Sequence, residues 1–120
     1  MLSYTSPAGV VRIWRGWTTP DNADTYEALL TTTIVPGIAS RRIPGHRSTE
    51  ILRLGSSDSE SGEVEFMTIM TFDDWNAVVE FAGGDGTPSV VPHAARAVLS
   101  RFDEYSRHYS AVATFPAETS

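Results

Sequence analysis

Cysteine and lysine are both absent from the 120 residues. Without cysteine there is no disulfide framework, thiolate nucleophile, zinc–thiolate site or iron–sulfur cluster. Without lysine there is no Schiff-base chemistry and no P-loop lysine. All nine basic residues are arginines (12, 15, 41, 42, 47, 53, 96, 101 and 107), set against 15 acidic ones for a net charge of −6. That balance argues against a nucleic-acid or anionic-membrane partner, since both need a clustered basic surface. No run approaches the ~20 apolar residues that span a bilayer. Met1 to Gly9 lacks the basic and apolar regions of a secretory signal. A cytoplasmic chain forming one domain over 1–120 is the expectation, with a core over about 10–113 and flexible tails.

What is present reads as short elements with tight connections. Val10 to Trp17 is β-branched and aromatic, as a strand requires. Thr19 and Pro20 then signal a helix start, with Asp21 and Asp24 in its first turn, where the helix dipole favours negative charge. Ala23, Tyr26, Leu29, Leu30, Ile34 and Ile38 form a stripe near 3.6-residue spacing, and Pro36-Gly37 is expected to end or kink this helix. His46 to Leu54 reads as a second strand, Gly55 to Gly62 as a polar hairpin tip and Glu63 to Phe72 as a third strand. Asp73 is expected to cap a short helix with Trp75, Val78, Val79 and Ala82 on one face, stopped by Gly83-Gly84. Pro92 opens a further helix with Ala94, Ala95, Val98, Leu99 and Phe102 as its buried side, and Tyr105 to Ala113 is a final strand.

The order β-α-β-β-α-β, its second helix broken in two, predicts an α+β fold: a ferredoxin-like sandwich with helices on one face of an antiparallel sheet. The first strand carries bulky residues on both alternating sets, Val11, Ile13 and Trp17 against Val10 and Trp14. A strand of that kind is buried on both faces. Two subunits packed sheet to sheet would supply the second cover, so a homodimer is expected.

Few residues carry chemistry. His46, His93 and His108 show no metal-ligand spacing, and no metal site is expected. The Gly83-to-Thr87 loop follows a helix and lacks a phosphate-cradle pattern, so it reads as a connection or a lid. Asp73-Asp74 and Asp103-Glu104 sit at element ends and read as caps. Arg12 is the most informative residue. On a doubly covered strand it must be ion-paired, for example with Glu65, or face a ligand beside Trp14. His108, between Arg107 and Tyr109, is either a base reaching into a pocket or a half-exposed strand residue. His93 either lines a pocket mouth or sits on the surface of a helix start.

Four stretches, IWRGWTTPDNADTYEALL, VPGIASRRIPGHR, EVEFMTIMTFDDWNAVVEF and VVPHAARAVLSRFDEYSRHY, together resemble the antibiotic biosynthesis monooxygenase-like group from Val10 to about Val112. The resemblance implies a dimeric α+β barrel with a pocket between sheet and helices in each subunit. It also implies an oxygenase that needs no cofactor and oxidises a small or polycyclic aromatic quinol or anthrone. Arg12 and His108 would then hold or deprotonate the substrate, while Trp14, Met70, Phe72, Phe81 and His93 would line its site. The alternative is a non-catalytic ligand-binding or structural domain of the same fold. Haem degradation is disfavoured, because the three positions that the resemblance assigns to it hold Trp14, Phe81 and Ala95.

Overall fold

The computed structural model describes residues 9–55 and 62–118. Most of the expected 55–62 hairpin tip, and the N-terminal stretch before Gly9, lie outside these residues. Strand β1 (Val10–Thr18) leads into α1 (Pro20–Leu29), a π-helical turn over Leu30–Ile34, and α2 (Val35–Ser40). Next come β2 (His46–Arg53), β3 (Val64–Phe72), α3 (Trp75–Ala82), α4 (His93–Arg96), β4 (Arg101–Phe102) and β5 (Arg107–Ser110). The sheet order is β2-β3-β1-β4, with β5 also on β1, and every pairing is antiparallel. This is the expected α+β, ferredoxin-like arrangement, with its fourth strand laid down in two pieces along one edge of β1.

The first helix begins as expected, with Thr19 at the N-cap and Pro20 in the first turn. It does not stop at Pro36-Gly37. The π-turn hands over to α2 with its Val35 N–H bonded to the Leu30 carbonyl, and Pro36 falls in the first turn of α2, where a missing N–H is tolerated. Asp74, rather than Asp73, caps α3, accepting a hydrogen bond from the Ala77 N–H at 2.9 Å. The buried side of α3 is Ala77, Val78 and Phe81, while Trp75 is 40% exposed. The last helix is a single turn: Val98 and Leu99 follow it half-buried, and Phe102 belongs to β4. The strand expected over Tyr105 to Ala113 contracts to Arg107–Ser110.

Even-numbered residues of β1 and β3 face the helices, and there the core divides into two groups. Met70, Phe72, Ala77, Val78, Phe81 and Ile43 pack under α3. Ala23, Tyr26, Leu30, Phe66 and Ala95 pack under α1, with the Tyr26 ring edge-on to Phe66 at 5.0 Å. The odd-numbered face carries Val11, Ile13, Met67 and Ile69, all half-buried without any helix above them.

Candidate functional site

Arg12 is only 3% exposed, on the helix-facing side of the central strand. The β1–β5 register sets His108 directly opposite it. Its Nη1 donates to the Gly86 carbonyl at 2.5 Å and to His108 Nε2 at 3.0 Å, and its Nη2 donates to the Pro88 carbonyl at 2.7 Å. The guanidinium also lies 5.4 Å from the centre of the Phe81 ring. No described carboxylate forms an ion pair with it. Glu65 stands on the opposite sheet face, across from Trp17, so the internal Arg12–Glu65 pair weighed from the sequence does not form.

Burial lowers the Arg12 pKa to about 10, which still leaves the group charged near neutral pH. A buried cation held by carbonyl dipoles and a ring face, with no counter-anion, is an expensive arrangement. Gly86 makes part of it feasible. Its φ of +90° turns the loop carbonyl back toward β1, and a Cβ there would lie 2.9 Å from the Trp75 ring. Trp75 in turn packs edge-on against the His108 ring, with centroids 4.7 Å apart.

An arginine has no lone pair to offer, so His108 Nε2 is the acceptor and carries no proton. Burial first, then the Arg12 charge, pull the His108 pKa below its ordinary 6.5. Below pH 6.5 the unfolded chain binds a proton at this imidazole that the fold resists, so stability falls as pH drops through that value. Thermal melts across pH 7.5 to 5 should show the decline, and His108→Gln should flatten it. An unchanged slope in that variant would place the pH sensitivity elsewhere.

Arg12 forms one end of a cavity of about 50 Å³ between the two halves of the core. Trp14, Tyr26, Leu30, Met70, Phe81 and Ser106 contribute to its wall. The π-turn supplies both Leu30 and Ile34. Trp14 is fixed by an Nε1–H bond to the Asp103 carbonyl at 2.9 Å. Ser106 Oγ is buried and has no hydrogen-bond partner among the described residues. Thr18 Oγ1 is in the same condition but lies at the far end of β1, outside the cavity wall. A surface groove of about 340 Å³ adjoins the cavity and shares Ile34, Ile38, Phe81, Val90 and Pro92 with it.

Of the residues singled out from the sequence, Arg12, Trp14, Met70 and Phe81 line this cavity, and His108 touches it through Arg12. Phe72 is fully buried under α3 and lies behind the wall. His93 is exposed at the start of α4, while its neighbours Pro92 and Ala95 reach the cavity. Ser106 carries no site signal of its own in the sequence, and Tyr26 reads there only as part of the α1 stripe. Ser106 stands two residues before His108, the spacing that puts extended residues on one face, and that parity was the available signal. Among the described residues no cluster of histidine, aspartate and glutamate could hold a metal, and no helix is long and apolar enough to cross a membrane.

No family profile and no curated protein matches the chain. Among solved structures, an ethyl tert-butyl ether d (EthD) family protein from Bacillus halodurans aligns over 92% of this chain and 99% of its own. The two are 18% identical, with a TM-score of 0.47, and a likeness at that level carries no argument about what this chain does.

Proposed function

We propose that the chain binds a small, electron-rich aromatic molecule in the Arg12 cavity and oxygenates it without a cofactor. The observation that carries this reading is a buried guanidinium with no counter-anion among the described residues, set on a mostly apolar wall beside Trp14 and Phe81. A cation so placed attracts an anionic group of the substrate and, through its field, eases proton loss from a quinol or anthrone-like ring. The substrate gives its proton to water and the anion passes one electron to dioxygen. The resulting radical and superoxide join in a carbon–oxygen bond. Where the reacting carbon was a CH₂, protonation and loss of water then leave a ketone, so one O₂ gives the carbonyl oxygen and one water. In this reading His108 positions Arg12 and does not take the proton, because its Nε2 lone pair already faces Arg12 and its basicity is reduced. A void of about 50 Å³ takes one or two water molecules and is about a third of the roughly 150 Å³ that holds a benzene ring. A single ring therefore enters only by opening the void into the adjoining groove past the exposed Val90, and a polycyclic guest is disfavoured further.

Oxygen uptake by the metal-free protein against hydroquinones and anthrones tests the reading. Uptake above autoxidation, lost in Trp14→Ala, supports it. The second reading is a ligand-binding domain without catalysis. It is favoured by a cavity wall that holds no carboxylate or imidazole among the described residues. Saturable binding of the same compounds with no uptake would decide for it.

The same proposal includes a homodimer joined through the uncovered sheet face. Ile13 and Ile69 sit opposite each other there, with Glu50 and Glu65 toward β2 and β3 and Arg15 and Arg107 toward β1 and β5. A two-fold axis running along the strands sets each copy's acidic columns over the partner's basic ones. Light scattering should give twice the 13.1 kDa chain mass and, for Ile69→Asp, the single mass. A monomeric unaltered protein would remove this part of the proposal.

A further inference from the structure

We infer that the cavity ligand carries a carboxylate, taken by the free edge of Arg12 together with the Ser106 hydroxyl. This deepens the function proposed above and rests on that reading of the cavity. An arginine has five N–H donors. Three are used, two on Nη1 by Gly86 and His108 and one on Nη2 by Pro88. The Nε–H and one Nη2–H have no acceptor among the described residues. Nε and Nη2 flank one edge of the planar fork, the edge that matches the two oxygens of a carboxylate. Ser106 adds a hydroxyl that has no partner among the described residues, 7% exposed, on the same cavity wall.

The charge count selects a monoanion. One cation with no carboxylate partner is neutralised by one negative charge, whereas a sulfate or phosphate dianion would leave a net negative charge buried among Leu30, Met70 and Phe81. The shape of the fork selects a carboxylate over a phenolate, whose single oxygen engages one donor well. The apolar remainder of the cavity and the adjoining groove then take the body of the acid, a ring or a short alkyl chain.

Benzoate is the probe, added to the ¹⁵N-labelled full chain while the Trp14 indole and Arg12 Nε–H signals are followed. Both signals should shift saturably with benzoate. Benzamide and benzyl alcohol, close in size but uncharged, should bind at least about tenfold more weakly, the loss of a charge-assisted hydrogen bond. Arg12→Met should lose at least about tenfold. Ser106→Ala, which removes one oxygen and should leave the melting temperature near that of the unaltered chain, should lose about fivefold. Equal binding of benzamide, an unchanged affinity in Ser106→Ala, or the same response to chloride or sulfate as to benzoate would each overturn the inference. If neutral quinols bind and consume oxygen while benzoate does not bind, the carboxylate assignment fails and the proposed function stands. If benzoate binds as described with no oxygen uptake by any compound, the assignment stands and the oxygenase reading fails.

Discussion

Phe66→Ala should cost about 3–5 kcal/mol of folding stability, the range for emptying a fully buried aromatic site. Phe66 is completely inaccessible, sits on one of the two inner strands and meets Tyr26 in a T-shaped pair with the ring planes 83° apart. Deleting it removes both the transfer of a large side chain and a ring pair. The cavity left behind cannot collapse readily, since β3 is bonded on both sides and α1 is held at both ends by other contacts of the same cluster. Domains of this size are stable by about 5–15 kcal/mol in total, so the variant should stand near the edge of folding. Chemical denaturation, with unchanged dependence on denaturant, measures the loss. A loss below about 1 kcal/mol would mean that the α1 side of the core is not packed as described.

Gly86→Ala should be the second most damaging change, at about 2–4 kcal/mol, for a different reason. The residue holds φ at +90°, which an alanine adopts only with strain, and the new methyl would meet the Trp75 ring at 2.9 Å and Val78 at 3.3 Å. Trp75 cannot retreat without releasing the His108 ring it packs against. The Gly86 carbonyl that holds Arg12 would move with the loop. The variant should therefore be less stable and also show a displaced Arg12 Nε–H signal, whereas Gly84→Ala, with open space around its Cβ, should perturb the fold by strain at its own positive φ alone. A displaced Arg12 signal in both variants would argue that the loop acts as one flexible piece and that the Trp75 contact does not matter.

The architecture was legible because its signals are periodic. Alternation placed Arg12 and Trp14 together on one face of β1, and the stripe Ala23, Tyr26, Leu30, Ile34 gave the covering helix. What failed were local endings. Pro36-Gly37 suggests a stop, yet the π-turn before it absorbs the change of register, and no pattern of side chains announces a wider helical turn. Phe102 continued an apolar spacing from Ala95, but the chain leaves the helix after Arg96 and takes Phe102 back to β1 beside Gly16. For the candidate site, the sequence supplied residues and not partners. That Arg12 would be held by backbone carbonyls 74 and 76 residues away depends on where a glycine-rich loop folds, which only long-range contacts decide.

The π-turn between α1 and α2 adds one residue to the path of the helix. A wide turn of this kind is what a straight α-helix becomes when one residue is inserted and the helix is kept on both sides. Removing one of the three consecutive threonines, Thr31 to Thr33, would restore a continuous α-helix. The helix beyond it would rotate by about 100°, the advance of one residue, and carry Ile38 away from the cavity while Leu30 stayed in place. Such a variant would keep the sheet and the arginine but lose the part of the cavity wall that lies beyond the turn. Ligand choice is then set in part by the length of one helix, with every residue of the sheet untouched.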